Sequence, residues 1–139
     1  MALISVTRLR LRSWRFVPAF FVQTIRSVRQ ARRADGNLGA SLLAEAHWTF
    51  WTLTAWVDET DMRKFIVAGA HGRGMRKLMN WCDEAAVAHW HQPDLTLPAW
   101  AEAHRRLQAE GRRSKVTFPS PDHEAYRIPP PVVRPRAQV

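Results

Sequence analysis

The segment TFWTLTAWV at residues 49–57 restricts the fold most strongly, because it is apolar on both faces of a strand. Side chains alternate between the two faces of a strand. One set is Trp51, Leu53, Ala55 and Val57, and the other is Phe50, Thr52, Thr54 and Trp56. Neither set is plainly suited to water, which predicts a strand inside a sheet that is covered on both sides.

Hydrophobic periodicity supplies the remaining elements. It predicts strands over 3–12, 38–46 and 85–91 and helices over 16–33, 60–82 and 97–111. Cys82 is assigned to the apolar stripe of the second helix. The resulting order, β-α-β-β-α-β followed by a helix, is the ferredoxin-like plan and an α+β fold.

That plan has a consequence for assembly. Its two helices cover one face of the sheet and are expected to leave the other face bare. Because the strand at 49–57 makes that face apolar, we expect a second subunit to cover it. The domain is predicted to span 1–111, and 112–139 is predicted to be a basic, proline-rich tail without a core of its own.

The net charge of +9 is concentrated at the two ends of the chain. The first 34 residues hold eight arginines and no acid, whereas the middle, 35–111, has seven basic and ten acidic residues. This distribution argues against a nucleic-acid-binding core. Arg8, Arg10 and Arg12 share a face of the first strand, and we expect that face to be solvated, with an anionic partner as the alternative.

The chain has one cysteine and no long apolar run. One cysteine cannot form an intramolecular disulfide, which favours a reducing compartment. No stretch approaches the length of a membrane span. We therefore expect a cytoplasmic protein.

The segment HGRGMRKLMNWCDEAAVAHWH at 71–91 contains three histidines, the one cysteine and two glycines, and it allows three interpretations. His89 and His91 share a strand face, but two ligands are too few for a structural zinc site. The glycines follow a helix instead of a strand, which disfavours a phosphate loop. His71 beside two glycines could meet heme or an aromatic ligand, with an apolar wall formed by Trp51, Trp56, Met75 and Met79. The alternative is that all these side chains only pack.

Two stretches carry a resemblance to a known superfamily. FWTLTAWVDETDMRKFIVAGAHGRGMRKLMNWCDEAAVAHW resembles the second half of a dimeric α/β-barrel protein of the antibiotic-biosynthesis-monooxygenase-like kind. LRLRSWRFVPAFFVQTIRSVRQARRADG is similar to the first β-α unit of uncharacterised proteins of this type, some of which resemble spheroidene-type carotenoid monooxygenases.

The resemblance implies a homodimer in which two sheets pair through their bare faces, and a pocket for an apolar aromatic or isoprenoid ligand. It implies monooxygenase-like chemistry, either with no cofactor or with heme ligated by His71. Arg73 would stabilise a substrate oxyanion and Trp51 would shape the catalytic pocket. The alternative function is a non-enzymatic dimeric binding or scaffold protein.

Overall fold

The computed structural model describes residues 1–68 and 76–134. Five strands form one sheet: β1 Ala2–Leu11, β2 Asn37–Glu45, β3 Thr49–Trp56, β4 Cys82–Gln92 and β5 Arg112–Arg113. The helices are α1 Val17–Arg33, α2 Glu59–Val67, a described helical stretch at 76–81 (α3), α4 Trp100–Glu110 and α5 Pro121–Glu124. The α+β, ferredoxin-like order predicted from the sequence is confirmed, and β5 is an additional strand.

The sheet has the spatial order β2-β3-β1-β4-β5, and all its neighbouring strands are antiparallel. Local chemistry sets where the helices begin. Asp58 caps α2 by accepting a hydrogen bond from the backbone N–H of Asp61 at 2.9 Å, and Pro18 lies in the first turn of α1. Both helices, α1 and α2, pack on the same face of the sheet, as the ferredoxin-like plan requires.

Cys82 was wrongly assigned to a helix. It is the first residue of β4, where it pairs with Leu11 and is fully buried beside Phe20. Burial raises the pKa of its thiol to about 12, so the group stays protonated and acts as a small apolar side chain.

We call the face of the sheet that carries α1 and α2 the cavity face. Its floor comes from Ser5, Thr7 and Leu9 of β1, from Thr52 and Thr54 of β3, and from Val87 and His89 of β4. Apolar side chains of the helices, including Phe20, Val28, Met62 and Phe65, lie over it.

We call the opposite face the sealed face. Its apolar side chains join those of α4 and of residues 126–128 in one buried cluster: Ala2, Ile4, Val6, Leu43, Trp51, Leu53, Ala55, Ala86, Ala88, Trp90, Trp100, Ala103, Leu107 and Ile128. The expectation of a bare face is therefore wrong, because the chain's own C-terminal segment covers it. The predicted homodimer loses that physical argument.

Several hydrogen bonds hold the C-terminal segment in place. His104 contacts the carbonyl oxygen of Ile128 at 2.7 Å, and Gln108 accepts a hydrogen bond from the Ile128 N–H at 3.0 Å. Glu45 joins the strands to the segment, accepting from the Trp51 indole N–H and from the Val132 backbone N–H, each at 2.6 Å. Residues 112–134, predicted to be a tail without a core of its own, thus make contacts with the domain.

Arg8 and Arg10 of β1 do not form the solvated face that was expected. Arg8 is 7% exposed and donates to Glu84 at 2.7 Å, and Arg10 donates to the other carboxylate oxygen of Glu84 at 3.0 Å. Ser120 donates to Glu84 at 2.8 Å, which ties the C-terminal segment to this ion pair. Buried charges are found where they are paired, and here the partner acid comes from β4.

Candidate functional site

A cavity of about 320 Å³ lies between the cavity face and the helices α1 and α2. This volume is at the lower end of the range for small-molecule sites, which is about 300–1,000 Å³. Its helical wall is mostly apolar and includes Phe20, Val28, Met62, Phe65 and Met79. A small apolar molecule is the kind of ligand that such a space accepts.

Hydroxyl groups interrupt the floor of the cavity. Ser5 pairs with Thr54, and Thr7 pairs with Thr52, so four hydroxyl-bearing residues stand in two adjacent rows across β1 and β3. Ser5, Thr7 and Thr52 are half-buried. Among the hydrogen bonds of the described residues, none uses the hydroxyls of these three, whereas Thr54 accepts from the Trp56 indole N–H at 2.9 Å. The floor therefore offers polar groups to a bound molecule.

His89 stands at the end of the first row, directly opposite Ser5. The side chain of His89 lines the cavity but is exposed on its other side. The partial loss of solvent around its imidazole lowers its pKa, the positive charge of Arg112 lowers it further, and Glu59 opposes both. The imidazole is therefore neutral at pH 7 and can accept a proton or a hydrogen bond.

Two cations stand on the β5 side of the cavity. Arg112 pairs with Val87 of β4, and Lys115 follows three residues later; both line the cavity. Both residues fall in the segment 112–139 that the sequence predicts to be a tail. The edge strand β5 that brings them to the cavity is only two residues long, which is too short to give a periodic signal.

The structure separates the tryptophans that were predicted to share a pocket. Trp51 is on the sealed face, fully buried, with its ring 6.3 Å from that of His104. Trp56 is on the cavity face, packed against Phe65 with the two rings tilted and their centroids 5.2 Å apart. The prediction of one wall containing both is wrong, because residues five apart on a strand point to opposite faces. Trp56 stands behind the cavity wall, and Trp51 has no part in it.

Met79 lines the cavity, and its role in binding a ligand stays a prediction. His71, Arg73 and Met75 lie outside the described residues. The catalytic roles of His71 and Arg73, and ligation of heme by His71, stay predictions. Of the histidines in the described part of the chain, His89 is the one that lines this cavity.

Within 1–68 and 76–134, no three His, Cys, Asp or Glu side chains are grouped closely enough to hold a metal ion. His89 and His91 share a strand face, as predicted, but Cys82 is buried at the other end of β4. In the same ranges, no helix is both long and apolar enough to cross a bilayer.

Solved structures resemble this fold at low sequence identity. Rv0793 from Mycobacterium tuberculosis is 11% identical with a TM-score of 0.61, covering 68% of this chain and 97% of that one. SnoaB from Streptomyces nogalater, a cofactor-independent oxygenase, is 16% identical with a TM-score of 0.57, covering 70% and 98%. An antibiotic biosynthesis monooxygenase is 10% identical with a TM-score of 0.59, covering 66% and 99%. At these identities the likeness establishes a shared ferredoxin-like fold.

About a third of the chain lies outside each of these structural matches. A comparison with curated proteins gave no match. The sequence profile of one family, described as a domain of unknown function (DUF3291), matches residues 21–118. These 98 positions are well over half of the chain, so the protein belongs to the DUF3291 family.

Proposed function

We propose that the protein binds a small apolar molecule in the cavity between the sheet and the helices α1 and α2, and oxygenates it without a cofactor. The observation that supports this most is the floor of half-buried hydroxyls at Ser5, Thr7 and Thr52 beneath apolar walls. A core built only for stability would fill these central positions with larger apolar side chains.

The neutral imidazole of His89 supplies a base at this site. A substrate with an acidic CH₂ group beside a ketone or an aromatic ring would give one proton to His89. The carbanion that remains passes electrons to dioxygen, which bonds to that carbon. His89 returns its proton to the peroxide anion that forms, and loss of water from this hydroperoxide leaves a carbonyl, so that the CH₂ group and one molecule of dioxygen yield one C=O and one water. The fold that the chain shares with SnoaB, a cofactor-independent oxygenase, supports this reaction class.

The apolar walls would keep water from the carbanion, and the hydroxyl rows would orient the polar edge of the substrate. Because His89 lies opposite Ser5, the base and the nearest hydroxyl are on neighbouring strands, within reach of one small molecule. Binding and proton removal are thus assigned to different residues, which makes the two separable by mutation.

Oxygen uptake with anthrone, a tricyclic ketone with an acidic CH₂ group, tests the proposal. We expect uptake by the wild-type protein and its loss in His89→Gln, with anthrone binding retained. His91→Gln is the matched control, because His91 is on the same strand face but outside the cavity lining.

Binding without uptake would contradict the enzymatic part of the proposal and identify a binding protein. A chain that neither binds anthrone nor consumes oxygen would contradict both parts and favour the scaffold alternative.

A further inference from the structure

The charged residues that line the cavity are all of one sign. Arg112 and Lys115 are its cationic members, and none of its described lining residues is a carboxylate. Neither cation has an ion-pair partner within 4.0 Å in the described part of the chain, although Arg8, Arg10, Arg63, Arg105, Arg106 and Arg127 all do. Other arginines of the described chain also lack an ion-pair partner, but Arg112 and Lys115 stand beside an apolar cavity.

The position of Arg112 relates it to the hydroxyl floor. Thr52 pairs with Thr7, Thr7 pairs with Val87, and Val87 pairs with Arg112, so these four residues form one straight row across the sheet. Neighbouring strands are about 4.8 Å apart, which places Arg112 about 10 Å from Thr7 along that row. A molecule of two fused rings spans such a distance.

We infer that the ligand of this cavity is an apolar molecule that carries one negatively charged oxygen group, bound by Arg112 and Lys115 while its apolar body lies over Thr7 and Thr52. This rests on the proposed function, because it requires the cavity to bind a small molecule. The guanidinium fork of Arg112 matches the two oxygens of a carboxylate or sulfonate. Lys115 adds a second charge, and the neutral His89 adds no repulsion toward the anion.

Two fluorescent probes that differ by one charged group test this. Anilinonaphthalene sulfonate carries the anion, and N-phenyl-naphthylamine is the same ring system without it. We expect the folded wild-type protein to bind both probes, the sulfonate about tenfold more tightly, since one charge-assisted hydrogen bond has about that effect.

Arg112→Gln with Lys115→Gln should remove that tenfold preference and leave the dissociation constant of the neutral probe within about twofold. Arg29→Gln is the matched control. Arg29 is an exposed arginine of α1 outside this cavity, so its removal should change neither dissociation constant. Circular dichroism of each variant checks that it is folded.

The possible results separate this inference from the proposed function. Equal binding of the two probes, or a sulfonate preference that survives the double substitution, overturns the inference and leaves the cavity as a binding site. A preference that Arg29→Gln reduces equally means general attraction to the basic surface, and it overturns the inference too. If neither probe binds, the proposed function fails and this inference fails with it.

Discussion

The two faces of one sheet are built differently from the same strands. On the sealed face, β1 and β3 present Ile4, Val6, Trp51 and Leu53, and α4 packs on them in one buried cluster. On the cavity face, the intervening residues of β1 and β3 are Ser5, Thr7, Thr52 and Thr54, and a space of about 320 Å³ remains. Side-chain volume accounts for the difference. The sealed face carries large apolar side chains at these positions, whereas the cavity face carries serine and threonine.

This comparison shows which face is free to serve a function. A large apolar side chain at the centre of a sheet fills space and adds to stability, whereas a serine or threonine leaves space and adds little. The charged groups follow the same division. On the sealed face, Arg8 and Glu84 are buried and paired, whereas Arg112 and Lys115 beside the cavity are exposed and have no ion-pair partner among the described residues.

The largest effect is expected at Glu84 on the sealed face. Glu84→Ala leaves the buried guanidinium of Arg8 without its partner, which should lower the free energy of unfolding by about 3–5 kcal/mol. Urea denaturation measures this. A loss below about 1 kcal/mol would mean that the ion pair is open to water and that the sealed face is not sealed.

Ile128 tests whether the C-terminal segment belongs to the fold. Its side chain is 7% exposed, so Ile128→Ala should cost about 2–3 kcal/mol of unfolding free energy. Val133→Ala, at an exposed position of the same segment, is the control and should cost almost nothing. Equal effects of the two substitutions would show that residues 126–128 do not cover the sheet in solution.

Acidification should lower the free energy of unfolding through His123, by less than the two substitutions above. The ring accepts a hydrogen bond at Nδ1 from the Ala85 N–H at 3.3 Å. Burial and then the charge of Arg113 lower its pKa below the usual 6.5, while Glu84 and Asp83 oppose this. A histidine with a lowered pKa in the folded protein stabilises it above pH 6.5, and that contribution is lost as the pH falls below 6.5.

Urea denaturation of wild type and His123→Gln at pH 7 and pH 5 measures this contribution. The stability difference between the two proteins should shrink at pH 5. A difference that grows on acidification would contradict the assignment of a neutral ring.

The smallest effect on stability is expected on the cavity face. Thr7→Val keeps the shape of the side chain and removes a half-buried hydroxyl that no described residue binds, so the free energy of unfolding should change by less than about 1 kcal/mol. Binding of a polar-edged ligand should nevertheless weaken. A large loss of stability would show that the hydroxyl has a structural partner and that the floor is an ordinary core.

The strand pattern of 49–57, together with the periodicity of the other elements, was sufficient to predict the fold, and it assigned Trp51 and Trp56 to opposite faces correctly. It could not predict the pairing of Ser5 with Thr54 or of Thr7 with Thr52, because register depends on contacts between distant parts of the chain. The hydroxyl floor was therefore missed, although the threonines of β3 were already on one face.

The sealed face was missed for a related reason. Arg8 shares the face of Ile4 and Val6, but nothing in the local sequence indicates that Glu84, 76 residues away, would pair with it. The C-terminal helix was predicted, yet its position on the sheet depends on tertiary packing alone. Because the position of this helix could not be predicted, the sheet face was expected to need a second subunit. Since the chain covers that face itself, we expect it to sediment as a single 16.0 kDa species.

Fluorine NMR of protein labelled with 5-fluorotryptophan tests the difference between the faces most directly. Trp56 stands behind the cavity wall, and Trp51 and Trp90 are buried on the sealed face. Titration with anilinonaphthalene sulfonate should shift the Trp56 resonance and leave those of Trp51 and Trp90 unchanged. Shifts at Trp51 and Trp90 with none at Trp56 would place the ligand on the wrong side of the sheet and contradict the account.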